Sequence, residues 1–393
     1  MEKRAFLRVV GGGVIAAAGL GTVACSSELP AEAMASWKGP GDAPGAGADA
    51  RRWLLAHAIL APHSHNLQSW LVDLREPDVI TLYCDLTRLL PETDPFSRQM
   101  MMSQGTFLEA LDLAAGALGL GTQITLFPQG APGAEKLSDA PTAHIRLLKT
   151  PGVQADPLLG QLFKRRTNRN PYEAREPSAQ ALAAISSAVQ QHPSGKGVTL
   201  GWVGSDRSQL LTQHREIAKA AWKVELETPR TILESYRWIR VGPSEIAQHR
   251  DGISINSPMV RALATLGLFD RTKAPAPGDS AISGQIKDFN AKIDATPLFF
   301  TMVSADNQRA TQVQVGRAYM RAQLAATAQG LSMHPLQQAL QEYPEQTPWY
   351  RRIHSLSGAT ASGQTVQMWA RIGYAAAVSP APRRGVEAHI KSA

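Results

Sequence analysis

Three stretches carry side chains whose types and spacing suit ligand chemistry. The first, Ala61-Pro62-His63-Ser64-His65-Asn66-Leu67-Gln68-Ser69-Trp70, gathers small polar groups and two amides within ten residues. Ser64, Asn66 and Gln68 offer donors and acceptors, and an amide supplies both roles, as the imide edge of a planar heterocycle requires. The same residues suit a loop capped by Asn and Pro, and residue types alone leave both readings open. His63 and His65 form a His-x-His pair, but no Asp-His continuation or third ligand follows, so no metal is expected. The second stretch, Lys164-Arg165-Arg166-Thr167-Asn168-Arg169, places Arg165, Thr167 and Arg169 at alternating positions. Bidentate Arg forks and a hydroxyl on one side could clamp a phosphate; the other reading is a solvated basic helix start. The third, Pro380-Ala381-Pro382-Arg383-Arg384, adds positive charge near the end of the chain.

The elements that must position these groups follow from periodicity. Ala50–Leu60 carries Trp53, Leu54, Ala56, Ile59 and Leu60 at helical spacing, and strand-like runs begin at Trp70 and at Val79. The first stretch therefore joins a helix to a hairpin. A second helix over about Met100–Leu118 has a continuous apolar face and belongs in the core. Strands near Gln123–Phe127 and His144–Lys149 complete a first half, residues 50–150. The second half, 151–393, opens at Pro151-Gly152 and starts with a basic amphipathic run over Leu158–Arg169. Its further helices are expected over Ser178–Gln190, Arg207–Leu226 and Arg309–Gln329, with strands over Val198–Gly204, Pro297–Ser304 and Gln364–Tyr374. Pro243–Lys287 shows no sustained period and reads as a lid. Helices and strands do not alternate strictly, so the expected class is α+β.

With 393 residues, 44% of them hydrophobic and 19% charged, the chain is of globular composition. A formal charge of +7 without an aromatic-interleaved basic stripe gives no nucleic-acid interface. Residues 1–24 read as an export signal: Lys3-Arg4-Ala5-Phe6-Leu7-Arg8, then an apolar run from Val9 to Ala24, too short and weak for a comfortable membrane span. The start resembles a twin-arginine signal with Lys3 in place of the first Arg. Thr22-Val23-Ala24-Cys25 resembles a bacterial lipoprotein box with Thr22 where Leu is usual, which makes Cys25 a candidate lipid anchor. Residues 25–49 are rich in Pro, Gly and Ala and read as a flexible tether. Only Cys25 and Cys84 occur, so no disulfide framework is expected.

A faint internal repeat, of so little identity that chance would also produce it, fits duplication of one half followed by loss of one site. Helix, His192-Pro193-Ser194-Gly195-Lys196, then Leu200-Gly201-Trp202-Val203 repeats the order of helix, Ala61–His65, then Trp70-Leu71-Val72, without the Asn and Gln. Taken together, Pro62–Trp70, Arg165–Arg169 and Gly373–Arg384 resemble motifs of the nitroreductase-like flavoprotein superfamily. The resemblance departs from it at Ser69, where Pro is usual, and at Thr167, where Ser is usual. The Asn-containing motif precedes the Arg motif, which is similar to the Acg-like branch, where two halves fused in one chain mimic a homodimer. Arg165–Arg169 and Gly330-Leu331-x-x-His334-Pro335-Leu336 also look like that branch.

The resemblance implies a nitroreductase-like α+β fold, an intramolecular pseudo-dimer of tandem halves with mixed antiparallel sheets and flanking helices. It implies one FMN site per chain. Arg165, Arg383, Arg384 and Thr167 would hold the phosphate, Arg169 the N1–C2=O edge of the ring, and Pro62, His63, Ser64, Asn66 and Gln68 the ring from the other half. His334, expected near a helix end, would approach the ring edge. Catalysis would reside on the flavin, with no catalytic side chain, and acceptors would be nitroaromatic or quinone-like small molecules. The donor would be NAD(P)H or, for an exported periplasmic or membrane-anchored bacterial envelope protein, a membrane-linked reductant. The alternative is an exported flavin-binding or flavin-sequestering protein with little turnover. The chain would act as a monomeric pseudo-dimer or a dimer of these.

Overall fold

The computed structural model describes residues 28–45, 47–276 and 278–392; the export-signal-like segment and Cys25 lie outside the described residues. The helices, in chain order, are α1 (Ala31–Met34), α2 (Arg51–Ala58), α3 (Arg98–Ala117), α4 (Ala179–Gln190), α5 (Ser208–Glu227), α6 (Pro229–Arg237), α7 (Gly242–His249), α8 (Pro258–Thr265), α9 (Ser280–Asp294), α10 (Arg309–Ala328) and α11 (Thr347–Leu356). The strands are β1 (Trp70–Asp73), β2 (Val79–Cys84), β3 (Leu120–Leu126), β4 (Ala143–Lys149), β5 (Val198–Val203), β6 (Ile239–Val241), β7 (Ile253–Ile255), β8 (Leu298–Ser304), β9 (Ser332–Pro335) and β10 (Thr365–Gly373). Helices packed on antiparallel sheets make the chain α+β.

Two antiparallel sheets run in the orders β1-β2-β4-β3 and β5-β8-β10-β9. Each half thus places its four strands in the same spatial sequence, with one 20-residue helix, α3 or α10, between the second and third strands. Those helices are buried on nearly every side, which fits their lack of a polar face. They cross each other, and each feeds the other half's core: Val313, Met320 and Leu324 of α10 join the cluster around Trp70 and Phe107, while Met102 of α3 joins the one around Phe300 and Tyr319.

Glycine makes the crossing possible. A Cβ at Gly105 would fall 2.0 Å from the carbonyl oxygen of Val313, and one at Gly316 would fall 2.0 Å from that of Met102. The two pairs are related by one constant offset in sequence, so the approach is a pseudo-two-fold contact. Gly316→Ala must push the helices apart across both cores and is expected to lower stability by about 3 kcal/mol. Urea unfolding checks this; a loss below about 0.5 kcal/mol would mean that the crossing yields easily.

Three expectations need correction. The flexible tether over 25–49 contains α1 and a 3₁₀ turn at Ala35–Lys38, docked on the end of the chain. Ala33 is fully buried, its carbonyl accepts from the Arg383 amide at 3.2 Å, and Trp37 Nε1 donates to the Ala381 carbonyl at 2.8 Å. The buried Ala33 and the half-buried, hydrogen-bonded Trp37 indole outweigh the Gly and Pro around them. The basic run Leu158–Arg169 is only a 3₁₀ turn, Pro157–Gln161, capped by Asp156, and Thr167 then bridges in parallel to Met333. The segment 243–287 is not irregular: it holds α7, β7, α8 and part of α9, with β7 paired in parallel to β6. The chain end returns to the first half, where Lys391 N donates to the Val72 carbonyl at 2.9 Å.

Candidate functional site

A cavity of about 400 Å³ lies where the two halves meet, within the size range of small-molecule sites. Its floor is Met102, Ser103 and Thr106 of α3 with Tyr319 of α10. One wall is the loop Pro62–His65, and the facing wall is Thr167, Arg169 and His334. Beyond these the cavity widens into a chamber walled by Trp222 and Leu226 of α5, Ile232 of α6, and Ile253 and Ile255 of β7. Of the candidates read from sequence, Pro62, His63, Ser64, Thr167, Arg169 and His334 line it; Asn66, Gln68, Arg165, Arg383 and Arg384 do not.

The absent ones frame the loop instead. His65, Asn66 and Gln68 have φ of 48°, 54° and 56°, a left-handed conformation that costs each residue about 1 kcal/mol. Helix α2 also ends there, leaving carbonyls without intrahelical partners. Arg383 meets both needs. Its guanidinium donates to the carbonyls of Ile59 at 2.8 Å, Leu60 at 3.3 Å and Ala61 at 3.0 Å, and to Asn66 Oδ1 at 2.6 Å. The Arg384 amide donates to Gln68 Oε1 at 2.9 Å, and its guanidinium to the Gln68 carbonyl at 2.6 Å. Asn66 Nδ2 donates to the Pro382 carbonyl at 3.0 Å, and Gln68 Nε2 to that of Arg250 at 2.9 Å. Arg165 donates to the Leu60 carbonyl at 3.2 Å and to Gln323 Oε1 at 3.3 Å. The three arginines expected on a phosphate thus donate to backbone and amide oxygens, while Arg165 Nε and Arg384 Nε have no partner among the described residues. Burial, reinforced by Arg165 and Arg166, holds the Arg383 guanidinium well below its usual range.

His63 is also spent. Its Nδ1 lies 2.9 Å from the Ser64 carbonyl and its Nε2 accepts from the Ser69 amide at 3.1 Å, which places the proton on Nδ1. Burial pushes its pKa down to about 3, so it braces the loop as a neutral ring. His65 Nε2 contacts Ser235 Oγ at 3.2 Å. Ser64 Oγ donates to Gln99 Oε1 at 3.2 Å.

The facing wall is different in kind. Arg169 lines the cavity and keeps a large solvent-accessible surface, while desolvation by the surrounding protein lowers its pKa. Among the described residues it makes no hydrogen bond or ion pair. Tyr319 Oη is buried on the floor with no partner. His334 is not at a helix end: it lies on edge strand β9, opposite Arg371 of β10. Arg371 Nε donates to His334 Nδ1 at 3.0 Å, and since Arg can only donate, the His334 proton belongs on Nε2. Burial first, then Arg169 and Arg371, hold this ring neutral. The Arg169 guanidinium, the Tyr319 hydroxyl, the His334 Nε2–H and the Thr167 hydroxyl therefore surround one end of a cavity whose other surfaces are largely apolar.

Glu225 of α5 was not legible as a site residue. It is buried in the chamber wall, accepts from Gln341 Nε2 at 2.8 Å, and has no cationic partner among the described residues. Burial pushes its pKa up to about 7, against hydrogen bonds from Gln341, Gln338 and Ser235 and with help from the nearby Glu234 charge. One signal existed: Glu225 interrupts the helical stripe Ile217, Ala218, Ala221. A carboxyl whose folded pKa is raised stabilises the fold fully below its unfolded value, near 4.5. That contribution is lost as pH rises to about 7, on the order of 3 kcal/mol. Glu225→Gln should flatten the corresponding fall in urea-unfolding stability across that window; an unchanged slope would place the titration elsewhere.

The pseudo-symmetric counterpart of the cavity is filled. By the offset that relates Gly105 to Gly316, Thr106 on the cavity floor corresponds to Arg317. Arg317 Nε pairs with Glu109 Oε2 at 2.8 Å, and Arg321 pairs with Glu109 Oε1 at 2.8 Å and Asp156 at 2.7 Å. Glu109, Asp112 and His192 bring three ligand atoms within 4.8 Å of one another, but both Glu109 oxygens are held by guanidinium groups. The group is an ion-pair network.

No family model matches the chain, and no curated protein matches it. Among solved structures it is similar to the FMN-dependent nitroreductase NfnB from Mycobacterium smegmatis in complex with NADPH. That pair shares 16% identity over 58% of this chain and 95% of the other, with a TM-score of 0.35. It is also similar to the FMN and NADPH-dependent nitroreductase NfnB from sphigopyxis sp. strain HMH, at 18% identity over 61% and 99% of the two chains and a TM-score of 0.39. A third is a nitroreductase with bound FMN from Bacteroides fragilis, at 15% identity over 56% and 89% and a TM-score of 0.33.

Proposed function

We propose that the chain is an FMN-dependent oxidoreductase that reduces nitroaromatic or quinone-like acceptors. The observation that carries this reading is the polar end of the cavity, where Arg169, without a hydrogen bond or ion pair among the described residues, shares the lining with an orphaned Tyr319 hydroxyl. These groups fit the carbonyl-bearing edge of a flavin ring, and the apolar floor of Met102 and Tyr319 fits its face. When bound, the flavin supplies hydride or electron transfer. Arg169 brings positive charge to the ring's polar edge, where it would favour the anionic reduced form. His334 Nε2–H and Thr167 offer further donors, and Ser64 and Pro62 close the ring from the first half. Arg165, Arg383 and Arg384 hold the loop that carries Pro62–His65, so they position this site rather than clamp a phosphate.

The common strand order and the reciprocal glycines support a fused tandem, and the filled counterpart supports one site per chain. The export-like start and the box at Cys25 support a bacterial envelope protein, reduced by a membrane-linked donor. Purified protein supplied with FMN and a reductant should turn over a nitroaromatic or a quinone steadily. Bound flavin that resists every donor would leave a flavin-holding protein instead.

A further inference from the structure

Helix α8 is turned inside out for a protein in water. A short surface helix normally shows its polar side to solvent, yet Met259, Ala262 and Leu266, which share one face at helical spacing, are exposed. Met259 is 59% exposed, Leu266 64% and the neighbouring Leu268 51%, the highest exposures of large apolar side chains among the described residues. Val260, Arg261, Leu263 and Ala264 are the half-buried ones, and Thr265 is exposed beside the apolar set. Between Ser257 and Phe269 the only charged residue is Arg261. Scattered apolar side chains need no explanation, but a contiguous set on one face does.

The path of the chain identifies the occupant. The described residues begin at Glu28, whose carbonyl accepts from Asn256 Nδ2 at 2.6 Å, and α8 begins two residues later at Pro258. The chain therefore joins the folded body at the foot of α8. Just before Glu28 in sequence come the apolar run Val9–Ala24 and Cys25 in its lipoprotein-like box. Only Ser26 and Ser27 separate Cys25 from Glu28, and the three steps of chain between those two positions span at most about 11 Å.

We infer that the apolar face of α8, with Leu268, docks on a lipid bilayer, at the side of the protein from which its N-terminal segment leads to the membrane. Three side chains would then enter the interface, as in amphipathic helices that lie in its plane. The surface is well placed for the cavity: β7, which precedes α8, supplies Ile253 and Ile255 to the apolar chamber. An acceptor dissolved in lipid would reach the chamber without crossing water. The inference stands on α8 and on the N-terminal sequence and needs no cofactor, so an FMN titration stands or falls independently of it.

The test is amide hydrogen exchange over residues 257–269 of the full chain, alone and on vesicles of phosphatidylcholine with phosphatidylglycerol. Exchange in this segment should slow at least ten-fold on vesicles. In Met259→Ser/Leu266→Ser/Leu268→Ser the slowing should vanish while the protein still co-floats through its N-terminal segment. The single change Leu266→Ser should reduce it in part, and because these side chains are solvent-exposed the fold should persist. Unaltered exchange in the wild type on vesicles would overturn the inference, as would equal slowing in the triple variant or a failure of the full chain to bind vesicles. Slowing that needs no vesicles and grows with protein concentration would assign the face to a second copy of the chain and likewise overturn it.

Discussion

Arg383→Ala is expected to destabilise the fold by about 5 kcal/mol and to dismantle the loop Ala61–Trp70. The guanidinium is buried and donates to three carbonyls at the end of α2 and to Asn66 Oδ1. Leu60 keeps a donor in Arg165, but Ile59, Ala61 and Asn66 Oδ1 lose theirs. Each buried acceptor left without a donor costs about 1–3 kcal/mol, and the deleted stem leaves a void as well. The left-handed residues of the loop would then be free to relax. Arg383→Lys should rescue little, because an ammonium offers its donors from one point and cannot span several carbonyls. Urea unfolding with circular dichroism checks this. If Arg383→Ala keeps its stability within about 1 kcal/mol and loses only FMN affinity, the arginine is a phosphate ligand after all.

Arg169→Met should do the reverse. Arg169 carries a solvent-accessible charge with no hydrogen bond or ion pair among the described residues, so an apolar side chain of similar length should change stability by no more than about 0.5 kcal/mol. Binding should suffer instead: a charge-assisted hydrogen bond contributes about 1.5–3 kcal/mol, and the charge itself favours an electron-rich ring edge. FMN affinity should fall about 100-fold, matching roughly 2.7 kcal/mol. A variant that binds FMN as the wild type does would remove Arg169 from the site. Contrasting the two variants separates an arginine that builds the loop from one that meets the ligand.

Much of the architecture was legible because it is periodic. The core helices α3 and α10 and the buried strands β8 and β10 follow from apolar runs, and the repeat of Ala61–Trp70 in His192–Val203 foreshadowed the matching strand orders. Short elements were not. β9 has four residues and ends in Pro335, which a sheet tolerates because β9 is an edge strand, so His334 read as a helix end. β6 and β7, with three residues each, fall below any period. At the site, residue type could not separate roles: a guanidinium fits a row of backbone carbonyls as well as a phosphate, and only the ending of α2 and the left-handed loop decide between them. Arg165, Arg383 and Arg384, expected on a phosphate, bond instead to backbone and amide oxygens, and Asn66 and Gln68 join that network outside the cavity lining. Trp37 and Glu225 matter because of what they bond to 344 and 116 positions away, a relation that local sequence does not carry.

The most direct test is an equilibrium titration of the purified full chain with FMN, followed by flavin fluorescence and by the shape of its visible absorbance bands. One FMN per chain should bind with micromolar or tighter affinity, quenched fluorescence and perturbed bands, because one cavity would receive the ring while its pseudo-symmetric counterpart is closed by Arg317 and Glu109. A colourless protein that leaves the spectrum of added FMN unchanged, or one that binds two flavins per chain, would contradict it.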